Sequence, residues 1–270
     1  MAVAVERERI PISVAIRKEL FNYQRLAQVG FIVALLIAWE IAGNRLGAFF
    51  LAPPSSLPAA TRELVESGEL VSALLDSLSS LLVGFGLAAG IGIVFGFLMG
   101  WYKPVAKIAD PFVNAAYVVP VAALVPMIII WFGLGFTSRV ITILLFCLFE
   151  VLVSTYTGVR NVDPMLIDVA RSFGAKRVAL FRKVVFYASL PYIFAGLRMG
   201  ASRAIKGMVV AELLFAVTGL GGEIQTAANY YRTDKVFVYV IVISILGVVL
   251  AGAIQMVERL TMPWKQERSK

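Results

Sequence analysis

Hydrophobic residues are gathered into long runs along this chain, and short polar or charged segments separate the runs. Six runs are predicted to span a membrane, because about 20 apolar residues in a helix cross a bilayer core. The predicted fold class is therefore all-α, a polytopic membrane protein with its transmembrane domain at residues 26–257. The six predicted spans are residues 26–43, 77–99, 112–132, 140–158, 192–216 and 236–257.

Two short flanking segments lie outside this domain. Residues 1–25 mix basic and apolar side chains, which favours an amphipathic helix on the cytoplasmic membrane surface. A flexible, unstructured tail is the alternative. No small-residue cleavage site follows the first run, so the segment is not predicted to be a cleaved signal. Residues 258–270 form a short basic tail.

The segments between the spans are predicted to be turns or extended pieces. Residues 101–111 and 132–139 are predicted as short turns, and Pro191 as the entry to the fifth span. Residues 44–76 begin with a stiff proline-rich piece and continue as a polar helical stretch. A loop that contains Gly-Leu-Gly-Gly at 219–222 follows the fifth span.

Glycine and proline mark two of the spans. In the second span Gly92, Gly96 and Gly100 recur every four residues, as do Gly86 and Gly90, which predicts close approach of another helix. The third span contains Pro120 and Pro126. Each proline removes a backbone hydrogen bond, so we expect this helix to be bent and to line a path through the protein.

The composition supports a membrane protein and excludes several classes of site. Hydrophobic residues make up 60% of the 270 residues, and the mean hydropathy is +0.85. The chain has no histidine, which excludes histidine catalysis and histidine metal ligation. Its single cysteine, Cys147, excludes an intrachain disulfide and a multi-thiolate metal site. No G-x-x-x-x-G-K-[ST] sequence is present, so no nucleotide cofactor is predicted on this chain.

The basic residues are distributed unevenly about the predicted spans. With six spans, 17 of the 25 Lys and Arg lie on the side that holds both termini, and five lie on the other side. The positive-inside rule makes the first side cytoplasmic. This distribution also explains the net charge of +8 without a nucleic acid partner.

Besides Glu40 and Arg198, which lie near span ends, four charged residues lie inside predicted spans, where a charge needs a partner, water or a function. They are candidates for a translocation path: Glu150, Arg203, Lys206 and Glu212. Arg203 and Lys206 are three residues apart and share a helix face, so the path is predicted to favour an anion. In the alternative, both cations pair with acids and lipid phosphates. Glu150 either forms a buried ion pair that fixes helix packing or lines the path.

Residues 159–191 are basic and lie between the fourth and fifth spans. Asp163-Pro164 predicts a helix start, and Gly174 predicts a chain reversal between two short amphipathic helices. On spacing alone, an amphipathic loop that faces anionic lipid is an equal alternative.

At Asp168-Val169-Ala170, Gly174 and Val184 this segment, which we call the coupling segment, resembles the EAA loop of ATP-binding-cassette (ABC) importer permeases. Asp168-Val169-Ala170 replaces Glu-Ala-Ala, Gly174 falls at the required position, and Val184 takes the isoleucine position, whereas Phe186-Tyr187 replaces Leu-Pro. The sequence from about residue 74 to 258 is similar to that of the nitrate, sulfonate and taurine branch of these permeases. The resemblance implies a type I importer permease fold. It also implies contacts with an ATPase subunit at Asp168, Val169, Ala170, Arg171, Gly174, Ala175, Lys176 and Arg177.

The resemblance also implies the function and the partners. The chain would be a non-enzymatic permease subunit in the bacterial inner membrane, with both termini cytoplasmic. It would pair with a second permease copy as a homodimer and with two ATPase subunits, which bind the ATP and Mg. A periplasmic or lipoprotein solute-binding protein would deliver the solute, and membrane lipid would surround the spans. The solute is predicted to be an anion such as a sulfonate, taurine, nitrate or an organic acid. A pyrimidine or thiamine precursor is the alternative solute, and a secondary transporter or a membrane enzyme are alternative functions.

Overall fold

The computed structural model describes residues 12–215 and 218–263, with side chains from Arg25 onwards. Within these ranges the regular structure is entirely helical, with a 3-10 turn at Pro54–Ser56 and a π-helical turn at Phe181–Val185. The α-helices are α1 Ile12–Leu46, α2 Leu57–Glu66, α3 Glu69–Trp101, α4 Lys103–Val118, α5 Val121–Phe132, α6 Phe136–Arg160, α7 Pro164–Ser172, α8 Arg177–Leu180, α9 Phe186–Phe215, α10 Gly219–Asn229 and α11 Thr233–Thr261.

Five helical segments are long and apolar enough to cross a membrane, and the bent pair of α4 and α5 makes a sixth span if the pair is counted as one. The five are Arg25–Leu46, Glu69–Trp101, Phe136–Arg160, Arg177–Phe215 and Thr233–Thr261. The predicted tail at residues 258–270 begins within α11, and its last seven residues lie outside the described residues, as do residues 1–11 of the N-terminal segment.

The third span is broken rather than gently bent. α4 and α5 meet at an angle of 96°, and the break falls at Val119 and Pro120. Pro120 has no backbone N–H, and proline disfavours helical geometry at the residue before it, so Val119 is extended with φ −62° and ψ 127°. Pro126 lies inside α5 without ending it.

Several predicted boundaries are corrected by the structure. Residues 101–111 are not a turn, because α4 begins at Lys103 with a proline in its first turn, where no helical hydrogen bond is lost. Pro191 lies inside α9 and does not begin the fifth span, since the helix already runs from Phe186. The polar stretch after residue 218 forms α10, a helix that the sequence did not predict.

The centre of the molecule is a three-helix layer of α3, α6 and α9. Glycines let the backbones approach: an added Cβ at Gly96 would lie 2.6 Å from the Thr155 Cβ, and one at Gly100 would lie 2.4 Å from the Val159 Cβ. Gly92 packs against Val151 in the same row. This confirms the predicted face of small residues at 92, 96 and 100. Gly86 and Gly90 face no neighbouring atom within 4 Å.

Candidate translocation path and coupling surface

The break between α4 and α5 opens a cavity of about 320 Å³ against α6 and α9, which we call the path cavity. Its walls combine apolar side chains with one acid, one base and one phenol. The residues that matter for its chemistry are Tyr117, Pro120, Phe146, Phe149, Glu150 and Arg203. Pro120 lies in the wall of this cavity. Pro126 is absent from the wall.

Glu150 and Arg203 form an ion pair at this cavity. The Arg203 Nε lies 3.1 Å from the Glu150 Oε1, and the Tyr117 hydroxyl donates a hydrogen bond of 3.2 Å to the same oxygen. The Glu150 side chain is 8% exposed, whereas the Arg203 side chain is 53% exposed. Of the two alternatives for Glu150, the structure shows the ion pair, with Arg203 on α9, and the carboxylate also lines the cavity. Arg203 remains open to a second partner.

Lys206 lies three residues beyond Arg203 on α9 and is exposed. It has no ion pair with any side chain of residues 25–215 and 218–263. Arg198, nearer the start of α9, instead pairs with Glu258 of α11. Because Glu150 balances one charge, this face of α9 retains a net positive charge.

Glu212 occupies a different place from the other three charged residues, and this corrects its grouping with them. Its side chain is completely buried. Its Oε2 accepts hydrogen bonds of 2.9 Å from the Ser77 hydroxyl and from the Gly221 N–H. The Ser77 hydroxyl oxygen also accepts a bond of 2.8 Å from the Leu220 N–H. Glu212 thus fastens the Gly-Leu-Gly-Gly start of α10 to α3, and it does not line the path cavity.

A bidentate ion pair lies beside this network. Arg139 at the start of α6 donates to both carboxylate oxygens of Asp76, at 2.7 and 2.9 Å, and its Nη1 lies 3.7 Å from Glu212. Sequence reasoning missed this pair. Asp76 and Arg139 flank the predicted second and fourth spans on the same side of the membrane. Their opposite charges at the same depth could have predicted the ion pair.

The coupling segment has the predicted form of two short helices. The Asp163 carboxylate caps α7 by accepting a bond of 2.8 Å from the Met165 N–H. Gly174 then takes φ +77°, which reverses the chain before α8. The exposed face of the coupling segment carries large apolar side chains, and Phe173 is 88% exposed. Asp168 and Arg171 form an exposed ion pair of 3.7 Å on this surface.

The second half of the segment is anchored on the end of α3. The Arg177 guanidinium lies over the rings of Trp101 and Tyr102, at 5.8 and 5.1 Å from their centroids. Phe181 packs edge-on against Trp101 and Phe97 at centroid distances of 5.2 and 5.3 Å. The structure therefore turns Arg177 towards α3, while Lys176 beside it is exposed. Val169 and Ala170 lie on α7, and Ala175 is partly buried.

Nothing in the described residues suggests a metal centre, since no three His, Cys, Asp or Glu side chains are grouped to hold an ion there. The features of the chain are instead those of a transport protein: a broken span, a charged cavity and an exposed two-helix segment. A family model described as a binding-protein-dependent transport system inner membrane component matches residues 91–262. The chain belongs to this family.

Relatives of this permease carry the same assignment. It is 34% identical over 235 residues to a putative aliphatic sulfonates transport permease protein of Bacillus subtilis (strain 168), which covers 86% of this chain and 85% of the relative. It is 32% identical over 241 residues to the taurine transport system permease protein of Escherichia coli (strain K12), with 87% and 88% covered. It is 29% identical over 248 residues to a formylaminopyrimidine transport permease protein of Halalkalibacterium halodurans, with 92% and 99% covered.

A solved structure shows the same fold. A chain of the inward-facing MetNI methionine ABC transporter aligns with a TM-score of 0.60 at 16% identity, covering 71% of this chain and 95% of that chain. The predicted all-α, type I ABC importer permease fold is confirmed. The permease is a multi-pass inner-membrane transport subunit and not an enzyme. Its family works with ATPase subunits and a solute-binding protein.

Proposed function

We propose that this permease imports a small anion, such as a sulfonate or taurine, past the path cavity. The observation that carries the proposal is the Arg203 guanidinium, which is half exposed at a cavity while its carboxylate partner Glu150 is buried. A guanidinium keeps free donors after it binds one carboxylate, and its forked geometry suits sulfonate or carboxylate oxygens. Lys206 adds a second cation on the same helix face.

The sulfonate and taurine permeases among the relatives support this solute class. The relative named for formylaminopyrimidine supports the alternative, in which Glu150 and the Tyr117 hydroxyl would bind a pyrimidine precursor. The two solutes make opposite demands on the cavity. An anion needs Arg203, whereas a neutral or cationic heterocycle needs Glu150.

The assembly proposed here has two copies of this chain and two ATPase subunits. The exposed face of α7 around Gly174 would dock on the ATPase, with Asp168, Val169, Ala170 and Arg171 on the docking helix. α1 packs on little of the described chain, and its apolar side chains are largely exposed, which supports burial against lipid or a second copy. Both termini and the coupling segment would be cytoplasmic, as the distribution of basic residues favours.

Uptake by the reconstituted transporter tests the proposal. Vesicles that contain the permease, its ATPase subunits and the solute-binding protein should accumulate a labelled sulfonate when ATP is supplied. Arg203→Gln and Lys206→Met should each abolish uptake while the complex still assembles. Arg62→Gln, which removes an exposed charge on α2, is the matched control and should transport normally. Full anion uptake in the Arg203→Gln, Lys206→Met double variant would refute the proposal.

A further inference from the structure

An apolar groove of about 420 Å³ runs along the last turns of α3 and is bounded by α8 and the π-helical turn. The α3 residues in its wall recur at helical spacing, so they form one continuous strip on that helix. The lining that matters here comprises Val94, Phe97, Leu98 and Trp101 from α3, together with Val178 and Phe181.

One cation lies at the mouth of this groove. Arg177 lines it beside Trp101 and Tyr102 and rests against both rings. Among the side chains that the structure describes, those of residues 25–215 and 218–263, this guanidinium has no carboxylate partner. A guanidinium that stacks on aromatic rings still directs its N–H donors outwards in its own plane, where they can bind a phosphate.

The surroundings of the groove are also basic. A second groove of about 860 Å³ adjoins the first and shares Val178 and Phe181 with it. Three more cations line this second groove, and in the described part of the chain no acid lines either one. The three cations are Lys176, Arg182 and Lys183. The charge of the site is therefore complementary to an anion that carries an apolar tail.

We infer that this groove binds an anionic phospholipid, with an acyl chain along Phe97 and Leu98 and the phosphate against Arg177. The inference rests on the proposed function, since that assigns this end of α3 to the cytoplasmic side. The cytoplasmic leaflet carries the anionic lipids, and Trp and Tyr are enriched where a helix meets the headgroups. Trp101 and Tyr102 at the end of α3 mark that level.

The depth of the groove favours lipid over the ATPase subunit as its occupant. Val94 lies seven residues before Trp101 on a membrane-spanning helix, which is about 10 Å of helix rise from the headgroup level. A soluble subunit does not reach that depth. The exposed side chains proposed to meet the ATPase, Met165 and Phe173, belong to α7 and its C-terminal turn and do not line the groove. A bound lipid would brace α8 against α3 and so influence how the coupling segment moves.

Quenching of Trp101 fluorescence by brominated lipid tests the inference in the complete transporter. Replacing the other tryptophans with Trp39→Phe, Trp131→Phe and Trp264→Phe leaves Trp101 as the permease's own reporter, and matching replacements silence the partner subunits. Brominated phosphatidylglycerol should quench Trp101 more strongly than brominated phosphatidylcholine. The preference should fall about fivefold in Arg177→Gln, since one cation near an anionic leaflet contributes that much. Arg177→Lys should retain part of it. Arg259→Gln, at an exposed arginine on α11, is the matched control and should retain all of it.

A competition measurement keeps the test independent of how the variants fold. Excess unbrominated phosphatidylglycerol should restore Trp101 emission, and excess phosphatidylcholine should not. Equal quenching by both lipids would overturn the inference, as would no quenching, which would mean that protein fills the groove. An unchanged preference in folded Arg177→Gln would overturn it too.

Uptake in the same vesicles separates the lipid site from the proposed function. Intact anion uptake without a lipid preference refutes only the lipid site, and a lipid preference without anion uptake refutes only the proposed function.

Discussion

Single charged residues in this permease differ greatly in what they contribute to stability, and two ion pairs make the contrast measurable. Arg139 and Asp76 form a bidentate pair in which the arginine side chain is 8% exposed. Arg62 and Glu66 form a surface pair on α2 with side chains 80% and 63% exposed. Removing Asp76 leaves the buried Arg139 with only its 3.7 Å contact to Glu212, whereas water replaces the partner of an exposed pair.

We therefore expect Asp76→Asn to destabilise the protein by about 3 kcal/mol and Glu66→Gln by less than about 1 kcal/mol. Thermal unfolding in detergent, followed by loss of the monodisperse peak, measures both. Equal losses in the two variants would mean that Arg139 finds another partner. Uptake need not change in the same order, because the pair lies beside the Glu212 network and away from the path cavity.

At the scale of helices, the close contact between α3 and α6 depends on one row of glycines. Gly96→Ala would place a Cβ 2.6 Å from the Thr155 Cβ and 2.8 Å from the Leu152 carbonyl oxygen. Because backbone cannot yield cheaply, we expect a loss of about 1–3 kcal/mol in stability. Gly90→Ala on the same helix meets no atom within 4 Å and is the matched control. It should be neutral or slightly stabilising, since alanine favours a helix. Equal melting temperatures for both variants would contradict the packing described here.

The turn between α7 and α8 provides a second test at this scale. Gly174 has φ +77° and open space around it, so a side chain there is opposed by backbone conformation alone. Val at this position costs roughly 1–3 kcal/mol locally, whereas Asn tolerates the same region better. Gly174→Val should remain in the membrane but lose most solute-stimulated ATP hydrolysis by the complex, and Gly174→Asn should retain much of it. Normal coupling in a well-folded Gly174→Val would count against this turn as the ATPase dock.

The helices that the sequence predicted well are those with long apolar runs or with local signals. The spans and the start of α7 at Asp163-Pro164 belong to this group. α10 was not predicted, because the buried carboxylate of Glu212 holds its glycine-rich start, and a contact between residues nine positions apart leaves no periodic signal. The helix through Pro191 was missed because a proline suggested a boundary, whereas α9 begins at Phe186 and continues past Pro191. Pairing between spans, as for Glu150 with Arg203, was foreseen only as one of two alternatives, because the sequence shows depth but not rotation.

For the whole molecule, the predicted orientation can be measured directly. A cysteine at Ser67, in the exposed turn between α2 and α3, should react with an impermeant thiol reagent added to intact cells. A cysteine at Lys176 should not. Cys147 is buried and is replaced by alanine in both variants to remove its background. Labelling at residue 176 together with protection at residue 67 would show that the orientation is the reverse of the predicted one. The coupling segment would then lie on the side of the membrane away from the ATPase.

The central claim of the proposal is that this importer carries an anion, and the solute bound by its partner tests that most directly. The solute-binding protein that docks on this permease is purified and titrated by calorimetry with taurine, an aliphatic sulfonate and formylaminopyrimidine. Each loaded form is then added to the reconstituted complex while ATP hydrolysis is followed. We predict tight binding of a sulfonate or another small anion, and hydrolysis that rises only with the anion-loaded protein. A binding protein that takes up the pyrimidine and stimulates hydrolysis with it, while ignoring the anions, would contradict the claim.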